Sequence, residues 1–318
     1  MPPILLLRAL RPPGSPERAV LAKRFRRSAG ALFAGLVFAA LTGAPGALAQ
    51  RSERPPPSYL QLGKPDQNEG RRILEEFRQQ GIAGDYYLEF TLDVIPRQGS
   101  ERILAGRLWG SRNAAGPISR VSVRLETGPA APEQRLLLQG GASPGLWEWR
   151  AGAAATGAPA GVGELFVPVA GTDLTAFELQ MPFLYWPEFA YEGLARIHGR
   201  PAHQFLLYPP PEVTAHRPEL SGVRVYLDTQ YTALVEAEMI GEGGRPLRSL
   251  SVLDLKKVEG QWIVKSIDIR DEVTRNKTRF EVTAVALNQR FPAAVWNPAQ
   301  LAEPAPTPTA PALMRVTP

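Results

Sequence analysis

The clearest periodicity in the chain begins at Tyr86. Leu88, Phe90, Leu92 and Val94 alternate with Glu89, Thr91 and Asp93, a period of two that places every second side chain on one side of a half-buried strand. Comparable runs at 102–109, 118–125, 134–139 and 146–150 are separated by turns containing Gly, Asn or Pro, which predicts an antiparallel meander. An Ala/Gly-rich stretch over 151–163 reads as a loop, and 164–169 as a further strand. The second half repeats the β pattern at 194–198, 203–208, 223–228, 232–240, 247–255, 262–270 and 278–287, with Gly-Glu-Gly-Gly at 241–244 and Glu259-Gly260 as hairpin turns. A strong 3.6 period occurs only before Tyr86. There Ile73, Leu74 and Phe77 form one apolar stripe, Arg71, Arg72, Glu75, Glu76 and Arg78 face away, Asn68 is placed to cap and Gly81 to terminate, so a helix is predicted over 69–80. Thr175 and Glu178 have capping-box spacing, which predicts a short helical turn before Pro182 and Pro187. About a dozen strands and one early helix make a mostly β fold. The expected architecture is an incomplete antiparallel β-barrel or strongly curved sheet covered by the N-terminal helix.

The N-terminal region follows a different logic. Arg18, Lys23, Arg24, Arg26 and Arg27 precede an apolar run over 29–41, the breakers Gly43, Pro45 and Gly46 follow, and Ala47-Leu48-Ala49 supplies a small-x-small site. This predicts an export signal over 1–49, cut between Ala49 and Gln50. The apolar run is well short of the roughly 20 residues that a membrane-spanning helix needs. Residues 50–66, with Pro55-Pro56-Pro57, read as a Pro-rich linker, 67–291 as the β domain, and 292–318 as a Pro/Ala-rich disordered tail. The formal net charge of +5 is misleading, because residues 1–49 hold seven Lys/Arg and one Glu and the remainder is near neutral at −1. A nucleic-acid surface needs a basic excess that this remainder lacks. The chain has no cysteine, which excludes disulfides, thiolate metal sites and an acylated N-terminal cysteine. Together these place the mature protein in a periplasm.

Candidate chemistry is sparse. Residues 141–145 (Gly-Ala-Ser-Pro-Gly) match the G-x-S-x-G pattern of serine hydrolases, but Pro144 has no N–H for an oxyanion and a β-like segment follows, so a turn is the better reading. The three histidines, His198, His203 and His216, lack metal-ligand spacing, although His198 and His203 flank a turn across which they could face each other. Asn276-Lys277-Thr278 matches a glycosylation sequon without a reason to be used as one. The mixed charges Asp268, Arg270, Asp271, Glu272, Arg275, Lys277 and Arg279 read as a solvated sheet face with cross-strand ion pairs. Neither a catalytic constellation, a metal site nor a cofactor is predicted. The aromatic residues say more: Trp147 and Trp149 share one side of a strand, and Phe166, Phe177, Phe183, Tyr185, Trp186, Phe189 and Tyr191 follow closely. In a packed barrel they are core. In an open one they line a cavity for an apolar ligand.

Phe183-Leu184-Tyr185-Trp186-Pro187, Gly199-Arg200-Pro201-Ala202, the run from Val223 to Asp228 with Tyr231 and Ala233, Trp262-Ile263-Val264-Lys265, Asp268-Ile269-Arg270 and Lys277-Thr278-Arg279-Phe280 together resemble the outer-membrane lipoprotein-sorting protein family, the LolA-like group. The resemblance runs from about Asn68 to Phe291 and is strongest after Tyr185. It implies an incomplete barrel whose apolar cavity shields acyl chains between two membranes. It also implies lipid or lipoprotein acyl chains as cargo, handover proteins at the inner and outer membranes as partners, no nucleic acid, a monomer, and no enzymatic activity. On this reading Leu88, Phe90, Leu92, Val94, Trp109, Val123, Trp147, Trp149 and Phe166 line the cavity, and Ile73, Leu74 and Phe77 form the lid. The alternative is an envelope protein that uses the same scaffold to bind a protein partner, as sensor or assembly factor.

Overall fold

The computed structural model describes residues 64–125, 132–152 and 158–316, so the export signal, the Ala49/Gln50 cleavage site and most of the linker lie outside the described residues. Alternation becomes strand wherever it was read with period two. β1 (Asp85–Ile95), β2 (Arg102–Asn113), β3 (Gly116–Arg124), β4 (Glu133–Gln139) and β5 (Gly145–Arg150) form the first meander. β6 (Phe189–Ile197), β7 (Arg200–Leu207), β8 (Gly222–Asp228), β9 (Leu234–Ile240), β10 (Pro246–Val258), β11 (Gln261–Asp271) and β12 (Lys277–Gln289) form the second. β1 and β12 join them into one antiparallel sheet of order β5-β4-β3-β2-β1-β12-β11-β10-β9-β8-β7-β6. The first and last strands of that order do not pair with each other, so the sheet is an incomplete barrel, as expected. The β10–β11 turn holds Glu259 at φ 46° and Gly260 at φ 83°, the doubly left-handed geometry of a two-residue hairpin.

Because side chains alternate, the sheet has two faces with separate cores. The inner face gathers residues from both meanders with the early helix and the β5–β6 connection into one large cluster. On the outer face, Tyr87, Trp109, Ala286 and Val295 form one small cluster and Ile118, Leu137 and Leu301 another.

The early helix, α1 (Gln67–Gln79), starts two residues ahead of expectation, since Asp66 and not Asn68 is the cap and accepts from the Asn68 N–H at 2.9 Å. The capping box at Thr175 and Glu178 forms and opens a second helix, α2 (Ala176–Gln180). The strand expected over 164–169 is instead two 3-10 turns, Val162–Phe166 and Val169–Gly171. Pro168 removes a ladder donor between them, and Ala170 sits at φ 52°, outside any strand conformation.

The tail also departs from expectation. Residues 292–316 are ordered as three 3-10 turns, Ala293–Trp296, Pro298–Gln300 and Ala310–Ala312, followed by β13 (Met314–Arg315), which pairs with β12. Val295, Leu301 and Val316 are buried at 2%, 2% and 5% exposure. The physical reason is that the sheet supplies donors for a segment whose prolines leave its own carbonyls unpaired. Arg120, itself buried, donates to the carbonyls of Gln300, Leu301 and Glu303, and Arg135 to those of Leu301 and Ala302.

Candidate functional site

The inner face is an apolar wall whose shape depends on local cross-strand fits. Phe90 on β1 stacks on Phe280 of β12 at a centroid distance of 4.5 Å, and its ring also lies over Gly106 of β2. A Cβ at Gly106 would come within 2.1 Å of that ring, so the glycine makes room for the aromatic to lie against the sheet. Leu92, Leu104 and Val123 continue the wall on one side, and Val223, Val225 and Phe205 on the other.

The connection from β5 to β6 fills this wall's concavity. Its aromatic side chains do the filling: Phe177 is fully buried and lies 4.8, 5.4 and 6.1 Å from the rings of Phe166, Phe183 and Trp186. Among the described residues, a cavity of about 10 Å³ lies between Phe177, Phe183, Val223, Ala237, Met239 and Leu250, with Glu178, Arg248 and Ser249 at its edge. One water molecule roughly fills such a space.

The segment is fastened by polar bonds interleaved with its packed aromatic rings. On the first meander, Ala160 N–H donates to the Leu146 carbonyl at 2.7 Å, Ala170 N–H to Gln134 Oε1 at 2.7 Å, and Gln180 Nε2 to the carbonyls of Gln139 and Gly145 at 2.5 and 3.0 Å. On the second, Arg248 pairs with Glu178 at 2.9 Å, and Thr278 exchanges hydrogen bonds with Asp173 at 2.9 Å in each direction. Glu178 is 5% and Thr278 0% exposed, so these partners are required: breaking a buried pair leaves an uncompensated group.

Helix α1 closes one side. Ile73 and Leu74 are buried in the inner cluster, and Phe77 is half-buried against it. Two contacts that its apolar stripe does not announce hold it further. Gln67 bonds the main chain of Tyr191 on β6 with both ends of its amide, at 2.9 and 2.8 Å, and Arg78 Nε donates to the Leu184 carbonyl at 2.6 Å. Gly70 lets the helix approach so closely that a Cβ there would sit 2.4 Å from Tyr191 Cβ.

The structure divides the residues assigned to a cavity. Leu88, Phe90, Leu92 and Val123 lie in the inner cluster, Val94 is buried on the same side of β1 by alternation, and Phe166 packs at its rim with Arg217 4.9 Å above its ring. Trp109, Trp147 and Trp149 do not line it. They occupy the outer face: Trp109 stands opposite Tyr87, and Trp147 and Trp149 pair with Leu137 and Arg135, while Leu146 and Leu138 point inward. Two side chains on one side of a strand share a face, but that side was assigned without a register to a neighbouring strand.

The remaining candidates resolve simply. Residues 140–144 form the β4–β5 turn with strand rather than helix behind Ser143, so the G-x-S-x-G match lacks a nucleophile elbow. His198 and His203 do not meet. His198 bonds Glu236 at 2.6 Å, whereas His203 Nδ1 contacts the Tyr191 hydroxyl at 2.8 Å, and burial pushes the His203 imidazole below its ordinary value. Among the described residues no group of three or more His, Asp or Glu could hold a metal ion. The expected cross-strand ion pairs are present: Asp268 takes Arg279 at 2.7 and 3.0 Å and Lys277 at 3.2 Å. Burial works against that carboxylate, but these bonds outweigh it and hold its pKa below the usual value.

Two features were missed. The β10–β11 hairpin exposes Leu253, Leu255, Trp262 and Val264, with Lys257 6.0 Å from the Trp262 ring. Arg120 is 2% exposed, and its guanidinium falls to about 10 through burial and the neighbouring Arg135 charge. The strands over 247–255 and 262–270 were legible, but the exposure of these side chains was not. No helix among the described residues is long and apolar enough to cross a membrane.

A family model described only as an uncharacterized protein matches residues 170–303. No curated protein matches the chain in sequence. Solved structures match in fold. A DUF1329 family protein from Desulfovibrio piger has TM-score 0.60 at 12% identity, covering 74% of this chain and 98% of its own. A domain described as an outer-membrane lipoprotein-sorting protein from Vibrio parahaemolyticus has TM-score 0.61 at 12% identity, covering 73% and 97%. A LolA superfamily protein from Nitrosomonas europaea has TM-score 0.53 at 14% identity, covering 71% and 96%. The open antiparallel sheet with its inner apolar wall is therefore a LolA-like fold, in agreement with the resemblance carried by the sequence.

Proposed function

We propose that the protein is a periplasmic, non-enzymatic carrier or binder of lipidated or otherwise apolar cargo, held against the inner wall where the β5–β6 connection now packs. The observation that carries this reading is that the wall is largely apolar, broken by Gln134, Arg248 and Thr278, and spans an unclosed sheet. It is filled by aromatic side chains of one non-strand segment rather than by strand pairing. Such a segment can leave without breaking the sheet ladder, although it must give up its bonds to Gln134, Arg248 and Thr278. Acyl chains entering in its place exchange one apolar neighbour for another.

The energetics favour handover over trapping. Burying a CH₂ from water gains about 0.8 kcal/mol, but cargo that arrives from a membrane comes from equally apolar surroundings. Net transfer is then close to neutral and runs in either direction, so partners at the donor and acceptor membranes set the direction. The exposed face of Leu253, Leu255, Trp262 and Val264 supports a surface for such contacts. The export signal ending at Ala49 and the lack of cysteine support the compartment, and α1, through Ile73, Leu74 and Phe77, acts as the cover.

The test is site-specific photocrosslinking in cells. A benzophenone amino acid replaces Phe166 at the inner rim or Trp149 on the outer face. Acylated material attached from position 166 and not from 149 is the expected result; equal labelling from both, or none from 166, overturns the assignment.

A further inference from the structure

The β10–β11 hairpin outruns the sheet. Ser251 is the last residue of β10 to pair with β9, and Ser266 the first of β11 to pair with β12, so residues 252–265 pair as strands only with each other. One face of this ribbon turns inward: Val258 and Ile263 are buried in the inner cluster, and Gln261 Oε1 accepts the Ala83 N–H at 2.7 Å. The other face sets Leu255 opposite Val264 and Lys257 opposite Trp262, with Leu253 at the bulge before them. An antiparallel ribbon with one face on a core ordinarily shows water a polar one. This one shows water four apolar side chains, with Trp262 59% exposed.

Charge narrows what can cover such a face. Lys265 is paired with Asp254 at 3.3 Å, and Glu259 takes a hydrogen bond from the Asn288 amide at 3.1 Å. Lys256 and Lys257 have no carboxylate partner among the described residues, and the Lys257 ammonium stands 6.0 Å from the centre of the Trp262 ring. A protein-docking surface is depleted in lysine. The headgroup region of an anionic bilayer accepts this mixture: aliphatic side chains enter the acyl boundary, an indole stays at headgroup level, and lysines on long stems reach lipid phosphate.

The neighbourhood of the tip has the same character. Residues 80–83, between α1 and β1, meet the hairpin through Ala83 and the β8–β9 turn through Gln80, whose amide reaches the carbonyl of the exposed Tyr231 at 3.4 Å. Arg112 donates to the carbonyls of Arg78 and Gln80 at 3.1 and 3.0 Å. A second exposed aromatic residue and a further cation therefore border the connection that the hairpin touches.

We propose that the exposed face of the β10–β11 ribbon is a membrane-docking surface that seats on anionic lipid, with Leu253, Leu255, Trp262 and Val264 entering the interface and Lys256 and Lys257 meeting lipid phosphate. The proposal deepens the carrier reading and rests on it for its purpose: docking brings the C-terminal end of the covering helix to the bilayer that gives or takes the cargo. The contact itself needs no cargo and is measured without it.

The experiment is flotation of the exported protein with vesicles of phosphatidylglycerol and phosphatidylethanolamine, beside vesicles of phosphatidylcholine alone. Binding to the anionic vesicles is expected to be at least roughly tenfold tighter, and Lys256→Gln with Lys257→Gln removes that preference. Trp262→Ser with Leu255→Ser weakens binding to the anionic vesicles by at least roughly tenfold. The chain has no cysteine, so one environment-sensitive fluorophore can be placed at Leu255→Cys or at Ile103→Cys. Ile103 is also 59% exposed and lies opposite Asp93, toward the other end of β1 from Ala83. A blue shift on the anionic vesicles from position 255 and not from 103 is expected. Absence of binding to the anionic vesicles overturns the proposal and leaves the face to a protein partner. Binding indifferent to the Trp262 and Leu255 changes, or equal shifts from both labels, also overturns it. Fatty-acid titration of the same variants separates the two readings. Docking lost with fatty acid retained is the expected pair, and a chain that docks through position 255 but carries no acyl lipid upholds docking while refuting the carrier.

Discussion

Phe177→Ala separates a core residue from a stand-in for cargo, because the two roles give opposite signs in binding. Phe177 is fully buried with three aromatic neighbours within 6.1 Å. Truncating a buried Phe costs about 3–5 kcal/mol, toward the upper end where the walls cannot collapse. Here Val223, Ala237, Met239 and Leu250 stand on hydrogen-bonded strands and resist collapse, so a loss of about 4 kcal/mol is expected, with an apolar void added to the existing cavity. For a ligand the same change helps. Displacing Phe177, Phe183 and Trp186 re-exposes three side chains at about 1.5–3 kcal/mol each, roughly 5–9 kcal/mol in all, against about 12 kcal/mol gained by burying a chain of about sixteen carbons. Removing Phe177's share, about 2–3 kcal/mol, tightens binding by roughly 30- to 150-fold. The assay is titration with a fluorescent sixteen-carbon fatty acid, beside urea unfolding of the same samples. A lower unfolding midpoint together with tighter binding is predicted. A lower midpoint with unchanged or weaker binding refutes the reasoning and makes the ring simply core.

Three further outcomes are expected. Phe77→Asp sets a carboxylate over the inner cluster without a partner and should weaken retention of the same fatty acid at least tenfold, while a thermal melt shows the sheet still folding cooperatively; unfolding of the whole chain contradicts the role of α1 as a cover. His203 is held neutral by burial, with Glu69, Asp228 and Glu76 opposing more weakly, so the folded state binds fewer protons than the unfolded chain. Its contribution is present above the ordinary imidazole value and lost as pH falls through the lower folded one; urea midpoints measured across that window should fall, and less so in His203→Gln. Replacing Ala47 and Ala49 with Lys should block processing, read as retention of the N-terminal segment by intact-mass measurement of the exported protein.

The sheet was legible because period-two alternation needs no knowledge of partners. Leu88, Phe90 and Leu92 announce a strand, and the same residues do form the inner wall. Which side faces inward is a property of register, and register comes from neighbours that the strand itself does not encode. Trp147 and Trp149 were therefore placed on the wrong face, although they do share one. The tail failed for a related reason. Its composition signals disorder because it offers little apolar surface, but its order comes from donors on Trp109, Arg120 and Arg135, residues far away in sequence. The anchoring of α1 was only half visible. Ile73 and Leu74 lie on a readable stripe, whereas the Gln67 bonds to Tyr191 and the close approach at Gly70 appear only once β6 is in place. The aromatic run at 166–191 was recognised, with its two possible roles left open; the burial of Phe177, Phe183 and Trp186 shows that it packs the wall in this conformation.

The central claim is that the inner wall receives acyl chains, and it is tested most directly by mass spectrometry of organic extracts from the exported protein, purified from its native host without detergent. Acyl lipid or acylated peptide near one equivalent per chain, lost when Phe90→Asp places an unpaired charge on the wall in a chain that still folds, is the predicted result. Reproducible absence of acylated material from the unsubstituted protein contradicts it.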